Sequence, residues 1–100
     1  VKVVQTLDGK ALYFSRFGIP FQRNNSSATL KHYKHIGIYG FQKKVLLDLV
    51  QLKVSALENA ESLEQLRWLE NGYDISTAET ESDSLSIDTE EDLNQARDRI

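Results

Sequence analysis

The chain has 100 residues, 40% of them hydrophobic, with 12 basic and 15 acidic side chains for a net charge of -3, and no cysteine. That length allows one small domain, or part of a larger one, with a core that is thin for its surface. The charge balance argues against nonspecific polyanion binding, hence against nucleic acid as a partner, and the missing thiols exclude a disulfide framework, a thiolate nucleophile and sulfur-built zinc sites. No apolar run approaches the length of a membrane span, so a reduced, soluble compartment fits. The chain has no methionine and opens inside a strand-like run, which leads to the expectation that the natural start lies upstream of Val1. Asn24 and Asn25 each open a glycosylation sequon, a feature with meaning only on secretion.

In chain order, Val1 to Gln5 and Ala11 to Ser15 are β-rich runs separated by a turn at Asp8-Gly9, which predicts a hairpin. Arg16 to Lys31 has little periodicity and reads as a long surface loop. His35 to Phe41 reads as a short strand whose Gly37 and Gly40 would admit a ligand or a second backbone. Gln42 to Lys53 and Leu57 to Glu70 have helical spacing, the second ending at Asn71-Gly72 as a left-handed cap. Tyr73 to Ala78 is a further strand candidate, 79 to 86 an acidic connection, and Thr89 to Ile100 a final helix with Thr89 and Asp92 in capping-box relation. The alternation predicts an α/β architecture, a mixed sheet with partly parallel pairing flanked by helices.

Asp74 to Asp92 contains eight of the fifteen acidic residues and no Lys or Arg, a field suited to a hard cation such as Mg²⁺. Asp88 is the candidate ligand by position, although by spacing alone entry to the last helix is the plainer reading. His32 and His35 are three apart, which on a strand places them on opposite faces and rules them out as a metal pair. His35, Gly37 and Tyr39 would share one face, with His35 and Tyr39 about 13 Å apart at about 3.3 Å rise per residue. Only an extended ligand would then touch both. Glu58, Glu61 and Gln65 would share a helical face suited to hydroxyl recognition, with Glu64 on its flank; a solvated helix with a Glu64 to Arg67 pair is the plainer reading. Arg16 and Arg23 flank the loop, and a guanidinium fork matches a carboxylate. Trp68, Tyr33, Phe14 and Phe17 read as core or subunit contact.

Five stretches follow one another in a fixed order: Val1 to Val4 with Gly9 to Arg16, then Ile19-Pro20, His35 to Tyr39, Leu57-Glu58 with Glu61 to Arg67, and Ile87 to Leu93. Together, over nearly the whole chain, they resemble the 3-deoxy-manno-octulosonate cytidylyltransferases, the CMP-Kdo synthetase family. The resemblance implies the C-terminal, sugar-acid-binding and dimerisation part of a Rossmann-like nucleotidyltransferase, with residues 1–100 as one segment and the β-hairpin as a dimer contact. It implies transfer of CMP from CTP to Kdo with release of pyrophosphate, for lipopolysaccharide synthesis in the cytoplasm. Asp88 would ligand Mg²⁺, while Arg16, His35, Tyr39, Glu64 and Gln65 would line the sugar-acid pocket. The family's CTP loop and a second metal-binding aspartate are not in this stretch, so it is expected to be inactive alone. Phe21 to Tyr33 is shorter and more polar than in the family, which leaves Arg23 without a matched role, and Glu90 stands where the family has proline. Alternatives are a cytidylyltransferase for another acidic sugar, such as a sialic acid, or a noncatalytic module whose acidic stretch binds a basic partner.

Overall fold

The computed structural model of the chain describes residues 1–24, 30–81 and 89–98. Asp88, the sequon at Asn25 and the last two residues of the expected final helix lie outside the described residues. The local turn chemistry at Asp8-Gly9 builds the first element. Gly9 has φ +88°, a conformation that other residues reach only with strain. The Thr6 and Gly9 amides donate to Lys10 O and Thr6 O, at 2.7 and 3.1 Å, closing the turn. It joins β1 (Lys2–Gln5) to β2 (Ala11–Ser15), with Val3 opposite Phe14 and Val4 opposite Tyr13.

A third strand, β3 (Tyr33–Lys34), pairs with the other edge of β1, so the order is β2-β1-β3 and both pairings are antiparallel. The expected partly parallel pairing is therefore not present among the described residues. A parallel neighbour needs a crossover that returns to the sheet, and the candidate strand 73–78 contributes only one antiparallel bridge, Lys10 to Ser76. That segment is still held firmly: the Ala11 amide donates to Ile75 O at 2.8 Å and the Thr77 amide to Gly9 O at 2.7 Å.

The expected strand from His35 to Phe41 is irregular instead. After the His35 amide bonds Val1 O at 2.8 Å, the Ile38 amide bonds back to Ile36 O at 2.8 Å, a three-residue turn that bends the chain off the sheet.

Among the described residues four helices follow: α1 (Lys43–Leu49), α2 (Ala56–Glu61), α3 (Gln65–Glu70) and α4 (Glu90–Asp98). The expected single helix from Leu57 to Glu70 is broken because Ser62 takes the left-handed conformation, φ 54°. Two non-local side chains compensate. Arg16, leaving β2, donates from Nε to Glu61 O and from Nη2 to Ser62 O, satisfying carbonyls at the break. Arg67 grips Glu58 with both ends of its fork, Nε to Oε1 at 2.7 Å and Nη2 to Oε2 at 2.5 Å, strapping α3 to α2. Asn71-Gly72 does end α3: Gly72, at φ +84°, donates to Leu69 O, and Tyr73 to Trp68 O, the paired bonds of a Schellman cap. The Thr89 and Asp92 box is also formed, each side chain accepting from the other's amide.

The core gathers Val3, Ala11, Phe14, Leu63 and Leu66, with Phe14 1% and Leu66 0% exposed. Trp68 is buried as expected, whereas Phe17 is 73% exposed and does not join Phe14 inside. In α1 only Leu49 is buried; Leu46 and Leu47, and Val50 just beyond the helix, are exposed. No helix among the described residues is long and apolar enough to cross a membrane.

Candidate functional site

The bend at residues 36–38 brings together two side chains that an extended strand would hold apart. Tyr39 Oη and His35 Nε2 are 2.8 Å from each other, within one hydrogen bond, where a separation of about 13 Å was expected. An aromatic chain holds the pair. The Phe14 ring meets His35 edge-on at 4.8 Å, Trp68 meets Tyr39 edge-on at 5.2 Å, and Phe41 closes on both Tyr39 and Trp68. Three of these contacts join a loop residue to β2 or α3, and Tyr39 to Phe41 lies within the loop, so packing against the sheet and α3 sets the position of the pair.

Burial holds the His35 imidazole below its ordinary pKa of 6.5, because the charged form loses hydration. Burial, reinforced by the nearby Glu64 carboxylate, pushes the Tyr39 phenol up to about 12. Both groups are therefore neutral near pH 7, the imidazole as a donor and acceptor and the phenol with its proton in place.

His35 and Tyr39 line a cleft of about 950 Å³ whose walls include Phe14, Ile75 and Thr77. Lys31, His32 and Lys34 stand at the cleft on one stretch of chain, and Glu79 and Glu81 on another. Such a surface offers cations to a carboxylate and carboxylates to hydroxyls. A smaller cleft of about 380 Å³ lies beside Tyr39, walled by Phe41, Leu49, Trp68 and Asp74.

The other expected residues are placed differently. Glu64 is exposed immediately before α3, near enough for its charge to act on Tyr39. Gln65 opens α3, is 6% exposed, and its Nε2 has no hydrogen-bond partner among the described residues. Neither lines the two clefts. Arg16 commits Nε and Nη2 to the carbonyls of Glu61 and Ser62, which leaves Nη1 for any other acceptor. The shared face of Glu58, Glu61 and Gln65 does not form, because the break at Ser62 separates them. Glu58 is taken by Arg67, which also replaces the Glu64 to Arg67 pair as the ion pair of these helices. Glu61 receives the Tyr13 hydroxyl and the Arg16 amide, both at 3.1 Å, and its carboxyl is held below the usual range first by the Ser15 hydroxyl and then by that amide. Arg23 is exposed in the loop. Among the described residues no group of three His, Asp or Glu side chains is arranged to hold a metal ion.

Sequence reasoning missed the wall at 77–81 and the lysines at the cleft. Thr77 docks on the hairpin through its hydroxyl, which shares its one proton between Gln5 Oε1 and Gly9 O, at 2.6 and 2.7 Å, and this brings the chain from Thr77 to Glu81 to the same cleft as His35. No spacing signal links positions so far apart in the chain.

A family model described as Cytidylyltransferase matches residues 1–80. Curated relatives named 3-deoxy-manno-octulosonate cytidylyltransferase include that of Cytophaga hutchinsonii, 50% identical over 97 residues, and that of Solibacter usitatus, 53% identical over 93 residues. They align with 92% and 93% of this chain but with 39% and 36% of their own length. A solved structure of CMP:2-keto-3-deoxy-manno-octonic acid synthetase complexed with CTP superposes with TM-score 0.89 at 41% identity, over 98% of this chain and 40% of that one. The chain thus spans about two fifths of the length of the curated relatives it matches. The α/β fold, the ordered motifs and these matches agree, and the chain belongs to the cytidylyltransferase family, as a partial-length member of its CMP-Kdo synthetase (3-deoxy-manno-octulosonate cytidylyltransferase) group.

Proposed function

We propose that this chain is the C-terminal, sugar-acid-facing part of a cytidylyltransferase that transfers CMP from CTP to Kdo, releasing pyrophosphate. The observation that carries the reading is the neutral His35–Tyr39 pair at a cleft lined by Lys31 and Lys34 from one stretch of chain and by Glu79 and Glu81 from another. A sugar acid presents one carboxylate and several hydroxyls, and that combination of donors and acceptors suits both. In the reaction the anomeric hydroxyl oxygen attacks the α-phosphorus of CTP, the bond to the pyrophosphate oxygen breaks, and the hydroxyl proton passes to solvent or to the departing pyrophosphate. No protein nucleophile is needed. The chain's share is to hold the acid in line and exclude water, which can contribute much of the rate.

Gln65 lines neither cleft, but its buried amide nitrogen, without a partner among the described residues at a cost of about 1–3 kcal/mol, would be available to a hydroxyl that reached α3. Glu64 would act from the start of α3, and Arg16 through Nη1. Asp88 would supply the carboxylate for Mg²⁺, which usually takes one or two protein carboxylates and completes its shell with phosphate and water. When bound, the ion would neutralise phosphate charge. The same reading makes the protein a cytoplasmic homodimer in lipopolysaccharide synthesis, with the hairpin as its contact; the exposed Leu12, Phe17 and Phe21 support that surface.

Calorimetric titration of Kdo and of a sialic acid into the complete gene product tests the reading. Kdo is expected to bind at least tenfold more tightly than the sialic acid and to lose at least tenfold in affinity in His35→Gln. Preference for the sialic acid would reassign the substrate, and binding indifferent to His35→Gln would remove the cleft from the proposal.

A further inference from the structure

We propose that Tyr39 acts through His35 as a positioning residue: its hydroxyl donates to Nε2, which fixes the less common imidazole tautomer and leaves Nδ1–H as the donor offered to an oxygen anion in the cleft. Among the described residues Tyr39 Oη has one hydrogen-bond partner, His35 Nε2 at 2.8 Å, and His35 Nδ1 has none. Two polarities are possible for that bond. If His35 donates from Nε2, the phenol proton and the Nδ1 lone pair are both left without partners. If Tyr39 donates, only Nδ1–H is left, and it is a donor at a group that lines the cleft. The second arrangement strands fewer half-buried polar atoms and is favoured, since each such atom without a partner is destabilising. It also uses the stronger donor, because a phenol O–H donates well while its ring-conjugated oxygen accepts poorly.

The surroundings prevent easy escape from this arrangement. Phe14 packs edge-on against the imidazole at 4.8 Å, and Trp68 and Phe41 enclose the phenol at 5.2 and 5.9 Å, so neither ring turns without displacing core aromatics. Protonating His35 would force Nε2 to donate and would orphan the phenol proton, which agrees in direction with the low basicity of His35. Other charged or titratable groups at the cleft are Lys31, His32, Tyr33, Lys34, Glu79 and Glu81. The tautomer stands on this geometry alone, whereas assigning the anion as the carboxylate of a sugar acid rests on the proposed function.

The test is long-range proton–nitrogen correlation spectroscopy on protein labelled with ¹⁵N-histidine, His35 being assigned by the signals lost in His35→Gln. At neutral pH the expected His35 pattern is a protonated Nδ1 and a bare Nε2. In Tyr39→Phe, which keeps the ring and removes the hydroxyl, the common Nε2–H form should take over. A bare Nδ1 in the unsubstituted protein, or a pattern unchanged by Tyr39→Phe, would overturn the proposal; a role in packing alone predicts that unchanged pattern. Native Trp68 fluorescence checks that Tyr39→Phe folds, and the tautomer of the unsubstituted protein tests the idea without any variant. Adding Kdo should shift the Nδ1 resonance and weaken about fivefold or more in Tyr39→Phe. The expected tautomer with no response to Kdo would uphold the positioning role and overturn the sugar-acid reading separately.

Discussion

Replacing Leu66 by alanine tests the packing that holds the candidate site. Leu66 is 0% exposed and lies among Val3, Ala11, Phe14 and Leu63. Three of those neighbours are on paired strands whose register limits collapse into the void. Truncating such a leucine costs about 2–5 kcal/mol, the transfer free energy plus the cavity. With a urea slope of about 1.5 kcal/mol per molar, a mid-range loss of about 3 kcal/mol lowers the unfolding midpoint by about 2 M. Against a total of about 5–15 kcal/mol for a domain, that is a large fraction. Fluorescence of Trp68, the single tryptophan, reports the transition from the same helix. Leu47→Ala, at a residue 57% exposed, is the control and should stay within about 0.5 kcal/mol. Equal shifts for the two variants would refute the core assignment, and with it the argument that α3 carries Trp68 firmly against Tyr39.

Acid stability follows in part from three of the four depressed pKa values, the fourth being that of Asp8 in the hairpin turn, held low by the Thr6 hydroxyl. Folded His35 resists protonation, so the unfolded chain takes up its proton first as pH falls below about 6.5, and stability declines until the folded value is passed. Glu58, held low by Arg67, and Glu61, held low by Ser15, contribute fully above about 4.5 and lose that contribution as pH falls through their folded values. Urea midpoints measured across this range should fall in two legs, and His35→Gln should abolish the upper leg alone; an upper leg that survives would contradict the burial of His35. Gly72→Ala should cost about 1–2 kcal/mol, since alanine must adopt φ +84° in the cap. A thermal midpoint unchanged by that substitution would mean the cap is not held as described.

What the sequence made legible was local. Asp8-Gly9, Asn71-Gly72 and the Thr89 and Asp92 pair each announce their geometry within a few residues, and each is formed. The break at Ser62 was not legible, because serine rarely takes a left-handed conformation unaided and its support comes from Arg16, on the far side of the loop. Helical spacing from Leu57 to Leu69 therefore suggested one helix and a shared polar face that does not exist. The His35–Tyr39 bond was hidden for a related reason. Strand periodicity separates the two side chains, and only the turn at 36–38, with Trp68 and Phe14 as backing, folds them together. The resemblance named His35 and Tyr39 as candidates, but not the hydrogen bond between them.

The central claim is cytidylyl transfer to a sugar acid, and pyrophosphate release by the complete gene product tests it most directly. With CTP, Kdo and Mg²⁺ the protein is predicted to release pyrophosphate only when Kdo is present, and Asp88→Ala should abolish that release. Release independent of Kdo, or undiminished by Asp88→Ala, would contradict the account.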